Sequence, residues 1–278
     1  MLRAMYSGIS GLKNFQTKLD VIGNNIANVN TYGFKKSRVT FKDLVSQQIS
    51  GASAPVDGGI GGTNPKQVGL GSQLSSIDTI HTVTSLQTTS RPLDLGIDGD
   101  GYFAVTDGTN VYYTRAGNFY LDEEGNVVNS DGLYLVQLNN AGNALDIANP
   151  INITQIDPTA ETESFSIGKN GTISIKISGN PVLNETQTIA IVRFPNPEGL
   201  EKVGGNLYQI SANSGDPIVG TAAQDGAGSL VSGALEMSNV DLSEEFTEMI
   251  VAQRGFQANT RIITTSDEIL QELVNLKR

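Results

Sequence analysis

The chain has 278 residues, of which 38 % are hydrophobic, 6 % are aromatic and none is Cys, and its formal net charge is −11. Without Cys it has no disulfide, no thiolate nucleophile and no Cys-ligated metal site, and the single His, His81, cannot form a multi-His metal site within one chain. The acidic charge argues against a nucleic-acid partner, because phosphate repels the chain as a whole.

Residues 1–30 have the pattern of an amphipathic helix that needs close neighbours. Gly8, Gly11 and Gly23 each weaken an isolated helix by about 1 kcal/mol relative to Ala, but such small residues permit close approach. Gly33 follows as a candidate left-handed C-terminal cap. Basic side chains outnumber acidic ones by seven to one over residues 1–42. The apolar residues recur at spacings of three, four or seven: Leu2, Met5, Ile9, Leu12, Leu19, Ile22, Ile26 and Val29.

The middle of the chain predicts connectors and short strands. Residues 43–73 are rich in Gly, which predicts a long loop or extended connector, and the Ser/Thr-rich run 75–91 is expected to be extended. From Leu93 onward, short apolar runs alternate with Gly, Asn and Asp turns, which predicts an antiparallel β domain. The predicted strand pairs are 93–97 with 102–105, 111–115 with 118–121, 127–128 with 133–138, and 165–167 with 172–177, followed by strands at 189–194 and 207–210.

Asp98, Asp100 and His81 are candidates for a chemical role in this region. Asp98 and Asp100 lack the third oxygen ligand and the closing Glu of an EF-hand. As the paired acids of a β-rich glycan hydrolase they would need burial to shift their pKa values, and nothing near them in the sequence provides it. His81 has no nucleophile-elbow pattern nearby, so we expect a surface or strand residue. These patterns predict turn chemistry, with no metal, no cofactor and no enzyme.

Residues 238–278 predict a second amphipathic helix, with Asp241 or Ser243 as its N-cap. Acidic side chains outnumber basic ones by seven to four. The apolar face is wider than the seam of a two-stranded coiled coil, so we expect contacts with several neighbours. The first heptad row is Leu242, Met249, Phe256, Ile263 and Leu270, and the second is Phe246, Gln253, Thr260, Asp267 and Val274.

The predicted fold class is α+β, with a discontinuous, coiled-coil-like terminal helical hairpin and an antiparallel, mainly β domain. Each terminal helix must bury its apolar stripe on the other, or on copies from neighbouring subunits. The predicted domains are residues 1–34 with 238–278, a Gly-rich connector at 35–73, and a β-rich domain at 74–237. No segment approaches about 18 consecutive apolar residues, and the first residues lack a signal-peptide pattern, so we expect no membrane insertion.

Residues 20–35, DVIGNNIANVNTYGFK, resemble the N-terminal signature of the bacterial flagellar rod and hook protein family. Residues 236–242 and 249–259, EMSNVDL and MIVAQRGFQAN, are similar to its C-terminal signature, and residues 93–103 and 113–132 to its β domain. The signature residues singled out are Asn24, Asn25, Asn28, Asn30, Gly33, Phe34, Asn239, Gln253 and Arg254.

The resemblance implies a structural subunit rather than an enzyme. In that family the two ends form a helical hairpin lining the inner wall of a hollow tube, and the β domain forms the outer layer. The apolar residues of the two helices would then pack between subunits of a helical homopolymer. Implied partners are rod, hook-cap and hook–filament junction proteins and the flagellar type III export apparatus. That apparatus exports unfolded chains without a cleaved signal peptide, which implies a place in the extracellular hook or the basal body.

Within the family, the sequence leaves hook and distal rod open. Only about residues 139–164 are available for the second outer domain of longer hook proteins, and the length is near that of the distal rod protein. Residues 41–71 are similar to the connector of short hook proteins, so we expect a flexible hook subunit, with the distal rod as the alternative. A secreted β-rich binding module is an alternative of another class, although it leaves the helices at both ends unexplained.

Overall fold

The computed structural model describes residues 2–55, 61–139, 144–153, 162–177, 180–224 and 226–276, without the side chains of Leu2 and of residues 162–163, 177 and 180–186. The chain divides into two compact units. The helical unit comprises residues 1–27, 37–79 and 240–278, and the β unit comprises residues 28–36 and 80–239. The α+β fold class predicted from the sequence is confirmed, because a helix stands near each end and antiparallel strands fill most of the region between.

The helical unit contains two long helices that pack antiparallel. They are α1 (Leu2–Ala27) and α2 (Leu242–Leu276). Lys18 Nζ lies 3.0 Å from Glu248 Oε2, and near the other end Gly8 lies against Ile263. A Cβ at Gly255 would approach within 2.5 Å of the Phe15 ring, so glycine lets the two helices come close at this point. Asp241 caps α2, as predicted, because its Oδ1 accepts a hydrogen bond from the Ser243 backbone N–H at 2.8 Å.

The face that α2 buries within the chain differs from the predicted heptad seam in one row. Its buried residues are Glu245, Ala252 and Ser266, at spacings of seven and fourteen residues. Each lies one position before an exposed residue of the predicted second row, such as Phe246 at 49 % exposure. The small side chains of Ala252 and Ser266 permit close helix packing, whereas the heptad pattern selected the larger residues that follow them. The predicted second row therefore faces outward within one chain.

The segment predicted as a connector contains strands of the helical unit. They are β1 (Ser37–Asp43), β2 (Ser46–Ser50), β3 (Lys66–Gly69) and β4 (Ser72–Thr79). Strand β1 pairs antiparallel with β4, and β2 pairs antiparallel with β3. Much of the Gly content lies between β2 and β3, where residues 56–60 are outside the described part.

The β unit is built from short antiparallel strands. The strands are β5 (Leu86–Thr88), β6 (Leu95–Asp98), β7 (Tyr102–Thr106), β8 (Val111–Thr114), β9 (Tyr120–Leu121), β10 (Val127–Val128), β11 (Tyr134–Leu138), β12 (Leu145–Pro150), β13 (Thr162–Ile167), β14 (Thr172–Ile177), β15 (Asn180–Thr188), β16 (Ile191–Arg193), β17 (Glu201–Gly204), β18 (Leu207–Gln209), β19 (Ile218–Gly220), β20 (Ser229–Ser232) and β21 (Ala234–Glu236). The main sheet has the order β17–β18–β8–β7–β11–β10–β9; β12 pairs with β11, and β16 pairs with both β7 and β19. A separate sheet has the order β13–β14–β15, and two further pairs are β6 with β20 and β5 with β21. A short 3-10 helix spans Pro197–Gly199.

Two of the predicted strand pairs are confirmed and two are wrong. Strand β10 pairs with β11, and β13 pairs with β14 across the Asn170-Gly171 turn. The strands predicted at 93–97 and 102–105 exist as β6 and β7, but β6 pairs with β20 instead. Likewise β8 pairs with β7 and β18, whereas β9 pairs with β10. A turn motif shows where the chain reverses, but it does not show a partner strand more than a hundred residues away.

The main core of the β unit lies between these strands. It includes Leu95, Ile97, Phe103, Leu135 and Ile151, all of which are almost completely buried. A second cluster forms around aromatic residues, with Tyr113 and Phe194 packed edge to face at 4.9 Å between ring centroids. Because both faces of the main sheet are apolar near its centre, this unit has a core that does not depend on the helical residues.

Candidate functional site

The helical unit carries apolar residues that one chain leaves uncovered. Among the predicted packing residues of α1, Ile22 is buried, Met5, Leu12, Leu19 and Ile26 are half-buried, and Ile9 is exposed. Val29, which follows the helix, is half-buried in the β unit, and the side chain of Leu2 lies outside the described part. In α2, Met249, Ile263 and Leu270 are half-buried, whereas Leu242, Phe246 and Phe256 are exposed.

A further apolar stripe lies on one exposed side of α2, beside the row that packs within the chain. Its members recur at spacings of eleven, seven, four and three, which place them on one face of an α-helix. Their exposed fractions run from 43 % to 83 %. We call this the outer stripe: Val251, Ile262, Ile269, Leu273 and Leu276. Such apolar area is uncommon on a monomeric protein and is typical of an interaction surface.

A buried asparagine ties together three parts of the helical unit. Asn25, at 1 % exposure, accepts a hydrogen bond from the Ser37 N–H at 3.0 Å and donates one to the Ser37 carbonyl at 2.9 Å. Its Nδ2 also donates to Glu245 Oε1 at 3.2 Å. The end of α1, the start of β1 and the first turn of α2 are therefore joined through one carboxamide group.

A second signature asparagine, Asn239, joins three segments of the β unit through hydrogen bonds. Asn239 Oδ1 accepts a hydrogen bond from the Lys36 N–H at 2.6 Å, and its Nδ2 donates to the Ile80 carbonyl at 2.8 Å. The Asn239 N–H donates to the Phe34 carbonyl at 3.4 Å, and the Ile80 N–H donates to the Lys36 carbonyl at 2.9 Å. Hydrogen bonds thus join the chain at residues 36, 80 and 239, where segments of the β unit begin or end.

Beside Asn239 lies a cluster of buried charges, which we call the charge triad: Lys35, Glu236 and Arg115. Lys35 Nζ is 2.5 Å from Glu236 Oε1, and both side chains are fully buried. Arg115 Nη1 is 3.2 Å from Glu236 Oε2. Further hydrogen bonds run from Lys35 Nζ to the Thr82 carbonyl at 2.7 Å and from Arg115 Nη1 to the Gly99 carbonyl at 2.9 Å. Burial lowers the pKa of Lys35, and the Glu236 carboxylate opposes that shift.

Gly33 is required by this packing rather than by the helix. It has the predicted left-handed conformation, with a φ of 69°, but α1 already ends at Ala27, so Gly33 is not its immediate cap. A Cβ at Gly33 would lie 2.6 Å from the Ala116 nitrogen and from the Arg115 carbonyl carbon. The Gly33 N–H donates to the Glu236 carbonyl at 2.9 Å.

The other signature residues are spread over the surface and the edge of this region. Phe34 is buried, with Lys202 Nζ 5.2 Å from its ring centroid. Asn28 is half-buried, and its Oδ1 accepts a hydrogen bond from Thr31. The exposed members are Asn24, Asn30, Gln253 and Arg254. The sequence motifs contain Lys35 and Glu236 but did not select them, although opposite charges in the two terminal signatures were an available sign of pairing.

His81 is half-buried and lies outside the strands, where it belongs to an aromatic cluster. Its Nδ1 is 2.7 Å from the Tyr102 hydroxyl, and its ring also meets that of Tyr208 edge-on. Burial lowers the pKa of His81 to about 4, and burial raises the pKa of both tyrosines. Three nearby cations act on His81 in the same direction as burial: Lys35, Lys202 and Arg115.

Neither a metal centre nor a membrane span is found in the described ranges. No three acidic or His side chains there are grouped closely enough to hold a metal ion. Among the same residues, neither helix has a stretch apolar enough to cross a bilayer. The features that remain are the uncovered helix faces, the two asparagine clusters and the charge triad.

Comparison with known proteins gives a consistent assignment. Residues 5–35 match the family described as flagella basal body rod protein, residues 96–175 match the flagellar hook protein FlgE/F/G D1 domain, and residues 231–276 match the flagellar basal body rod FlgEFG protein C-terminal. Along its full length the chain is 59 % identical, over 279 residues, to the whole flagellar basal-body rod protein FlgG of Bacillus subtilis.

Two relatives from one organism differ in their similarity to this chain. The chain is 38 % identical over 280 residues to the flagellar basal-body rod protein FlgG of Borreliella burgdorferi. It is 32 % identical to the flagellar hook protein FlgE of that organism, but the alignment extends over 443 positions. Both alignments include the whole of each chain. The chain belongs to the flagellar basal-body rod and hook protein family, whose members are structural subunits of the flagellum and not enzymes.

Proposed function

We propose that this chain is a distal rod subunit of the flagellar basal body and not the hook subunit that the connector favoured. The relation that carries the proposal is the 59 % identity to a rod protein that it matches end to end over 279 residues. The hook relative is 32 % identical, and its alignment extends over 443 positions although this chain has only 278 residues. The similarity of residues 41–71 to hook connectors was therefore a weaker guide than length.

The proposed assembly is a helical homopolymer in which the terminal helices form the inner tube. Residues 1–34 with 238–278 would form that tube, 35–73 the connector and 74–237 the outer layer. The apolar residues of α1 and α2 selected from the sequence, together with the outer stripe, would pack between subunits. The exposure of part of this set in a single chain supports the proposal, because burying that apolar surface removes it from water. The exposed members are the outer stripe together with Ile9, Leu242, Phe246 and Phe256.

The proposed partners are copies of this chain, the adjoining rod and hook proteins, and the flagellar export apparatus. Export would take place in the unfolded state without a cleaved signal peptide and would deliver the chain to the basal body outside the inner membrane. Hook-cap and hook–filament junction proteins belong to the alternative in which the chain forms the hook.

Complementation distinguishes rod from hook. We expect the chain to restore swimming and hook-bearing basal bodies to a Bacillus subtilis strain lacking its basal-body rod protein FlgG. A strain lacking its hook protein is the matched control and should stay immotile. Rescue of the hook-deficient strain without rescue of the rod-deficient strain would overturn the proposal.

Polymerisation of the purified chain gives an independent test of the outer stripe as an interface between subunits. Purified full chain at high concentration should form straight tubes by electron microscopy, and Ile262→Asp with Ile269→Asp should abolish them. Gln257→Asp with Thr264→Asp is the control, because it adds the same charge at two exposed polar positions of the same helix, also seven residues apart. Circular dichroism should show unchanged helix content in all variants. Equal polymerisation of the stripe variant and the control would rule out the outer stripe as an interface.

A further inference from the structure

The β unit is closed by its first and last segments. Strand β5 pairs with β21 and β6 pairs with β20, so the earliest strands of the long segment 80–239 pair with its latest. Leu95 and Ile97 of β6 are both 1 % exposed and belong to the main core. If β6 were buried before β20 had docked, the backbone N–H and C=O groups of β6 that bond to β20 would have no partners. Such unpaired groups cost free energy in an apolar interior.

The charge triad favours the same order of events for an electrostatic reason: the last residues of the β unit must dock before its core is buried. Lys35 and Arg115 precede Glu236 in the chain by 201 and 121 positions. Both cations are buried in the folded unit, at 0 % and 3 % side-chain exposure. A third cation, Lys202, donates a hydrogen bond to the Lys35 carbonyl at 3.1 Å. Until residue 236 is present, native packing would therefore bury cations with no anion among them, and uncompensated buried charge is strongly unfavourable.

No other described carboxylate substitutes for Glu236 at this place. Asp100 acts on Lys35 electrostatically but is exposed. Asp94 is buried, but it is engaged with Arg91 at 3.2 Å and with the Thr89 hydroxyl at 2.6 Å. Glu236 also accepts a hydrogen bond from Thr84 at 3.3 Å, so its arrival joins segments 33–36, 80–88 and 234–239 at once.

We propose that docking of Glu236 between Lys35 and Arg115 is a completion gate for the β unit. The unit does not form protected structure in β6–β8 until the last few residues of its segment have docked. A chain made or threaded from its N-terminus then stays unfolded until residues 229–239 are free to pair. Such timing suits the unfolded export proposed above, but the gate itself does not depend on that function.

Pulsed hydrogen exchange during refolding of the full chain tests the gate directly. The amides of β6–β8 should gain protection in the same kinetic phase as the Gly33 amide, which donates to the Glu236 carbonyl, and the Met237 amide, which donates to the Ser85 carbonyl. Protection of β6–β8 in an earlier, separate phase would overturn the proposal.

Variants of the full chain provide the second arm. Glu236→Gln should slow protection of β6–β8 by about a hundredfold or more, since docking is proposed to occur in the rate-limiting step. Glu201→Gln, which removes the same charge from an exposed position of β17, should change the rate less than about twofold. Replacing all three triad residues by Met should restore much of the lost rate. A wild-type rate in Glu236→Gln, or no recovery in the Met variant, contradicts the electrostatic part of the gate.

Discussion

The side chains of Lys35 and Glu236 meet at 2.5 Å, although 201 positions separate them in the chain. Lys35 belongs to the N-terminal signature and Glu236 to the C-terminal one. Because both side chains are fully buried, removal of either one leaves the other with fewer compensating partners: Lys35 would keep the Thr82 carbonyl, and Glu236 would keep Arg115.

We predict that Lys35→Met destabilises the β unit by about 3–5 kcal/mol, because Glu236 keeps only Arg115 as its charged partner. Adding Glu236→Met and Arg115→Met should recover most of that loss, since replacing buried ions by apolar residues of similar volume is often neutral. Urea unfolding followed by near-ultraviolet circular dichroism measures both. Equal stability of the single and triple variants would contradict this account.

The sequence places the β domain at residues 74–237, whereas the β unit of the structure comprises residues 28–36 and 80–239. We expect a fragment of residues 74–237 to unfold at a lower temperature than a fragment of residues 28–239, because the shorter fragment lacks Lys35, the Gly33 amide and Asn239. Calorimetry of the two fragments at equal concentration gives the comparison. Coincident transitions would show that residues 28–36 are dispensable for the unit.

The β unit should lose stability in mild acid through His81. Its pKa is about 4 when folded and about 6.5 when unfolded, so the unfolded chain binds more protons between these values. Stability therefore falls as the pH drops from about 6.5 to 4, by at most about 3 kcal/mol. Urea unfolding across this range should show the decline in the parent chain. In His81→Phe this component should disappear, and an identical pH profile in both would assign the decline to other groups.

Two glycine substitutions should change the free energy of unfolding in opposite directions. Gly33→Ala places a side chain in a left-handed conformation and against the Arg115–Ala116 backbone, so we expect a loss of about 1–3 kcal/mol or more. Gly23→Ala, at an exposed position of α1 with no neighbour within 4 Å of the added carbon, should stabilise the helix by about 0.5–1 kcal/mol. Thermal unfolding of the full chain, followed separately at helical and aromatic wavelengths, measures each change. A similar effect of both substitutions would contradict the assigned role of Gly33.

Local patterns predicted the elements of this fold better than their partners. The spacing of apolar residues located α1 and α2, and the Asn170-Gly171 turn located a true hairpin. The pairing of β6 with β20 could not be read from the Asp98–Gly101 turn, because nothing local distinguishes a reversal within a sheet from a crossing to another one. The sequence also selected Phe246 over Glu245 for the helix seam, since apolarity is visible in a sequence and close backbone approach is not.

The buried charges were missed for a related reason. Lys35 and Glu236 stand among residues that were noticed for their family pattern, and charged side chains are ordinarily assigned to the surface. Asn239 was selected by pattern, but its contacts with Lys36 and Ile80 depend on three distant backbones meeting. Their role is visible only once the ends of the β unit are in place.

The contacts of Asn239 also determine how this unit responds to a mechanical load. A pull on the chain at residue 239 is passed through one carboxamide to the backbones at residues 36 and 80 before it reaches a strand of the main sheet. A force applied at residue 239 is therefore shared among the chain segments at residues 36, 80 and 239. A unit built this way should resist being unravelled from one end.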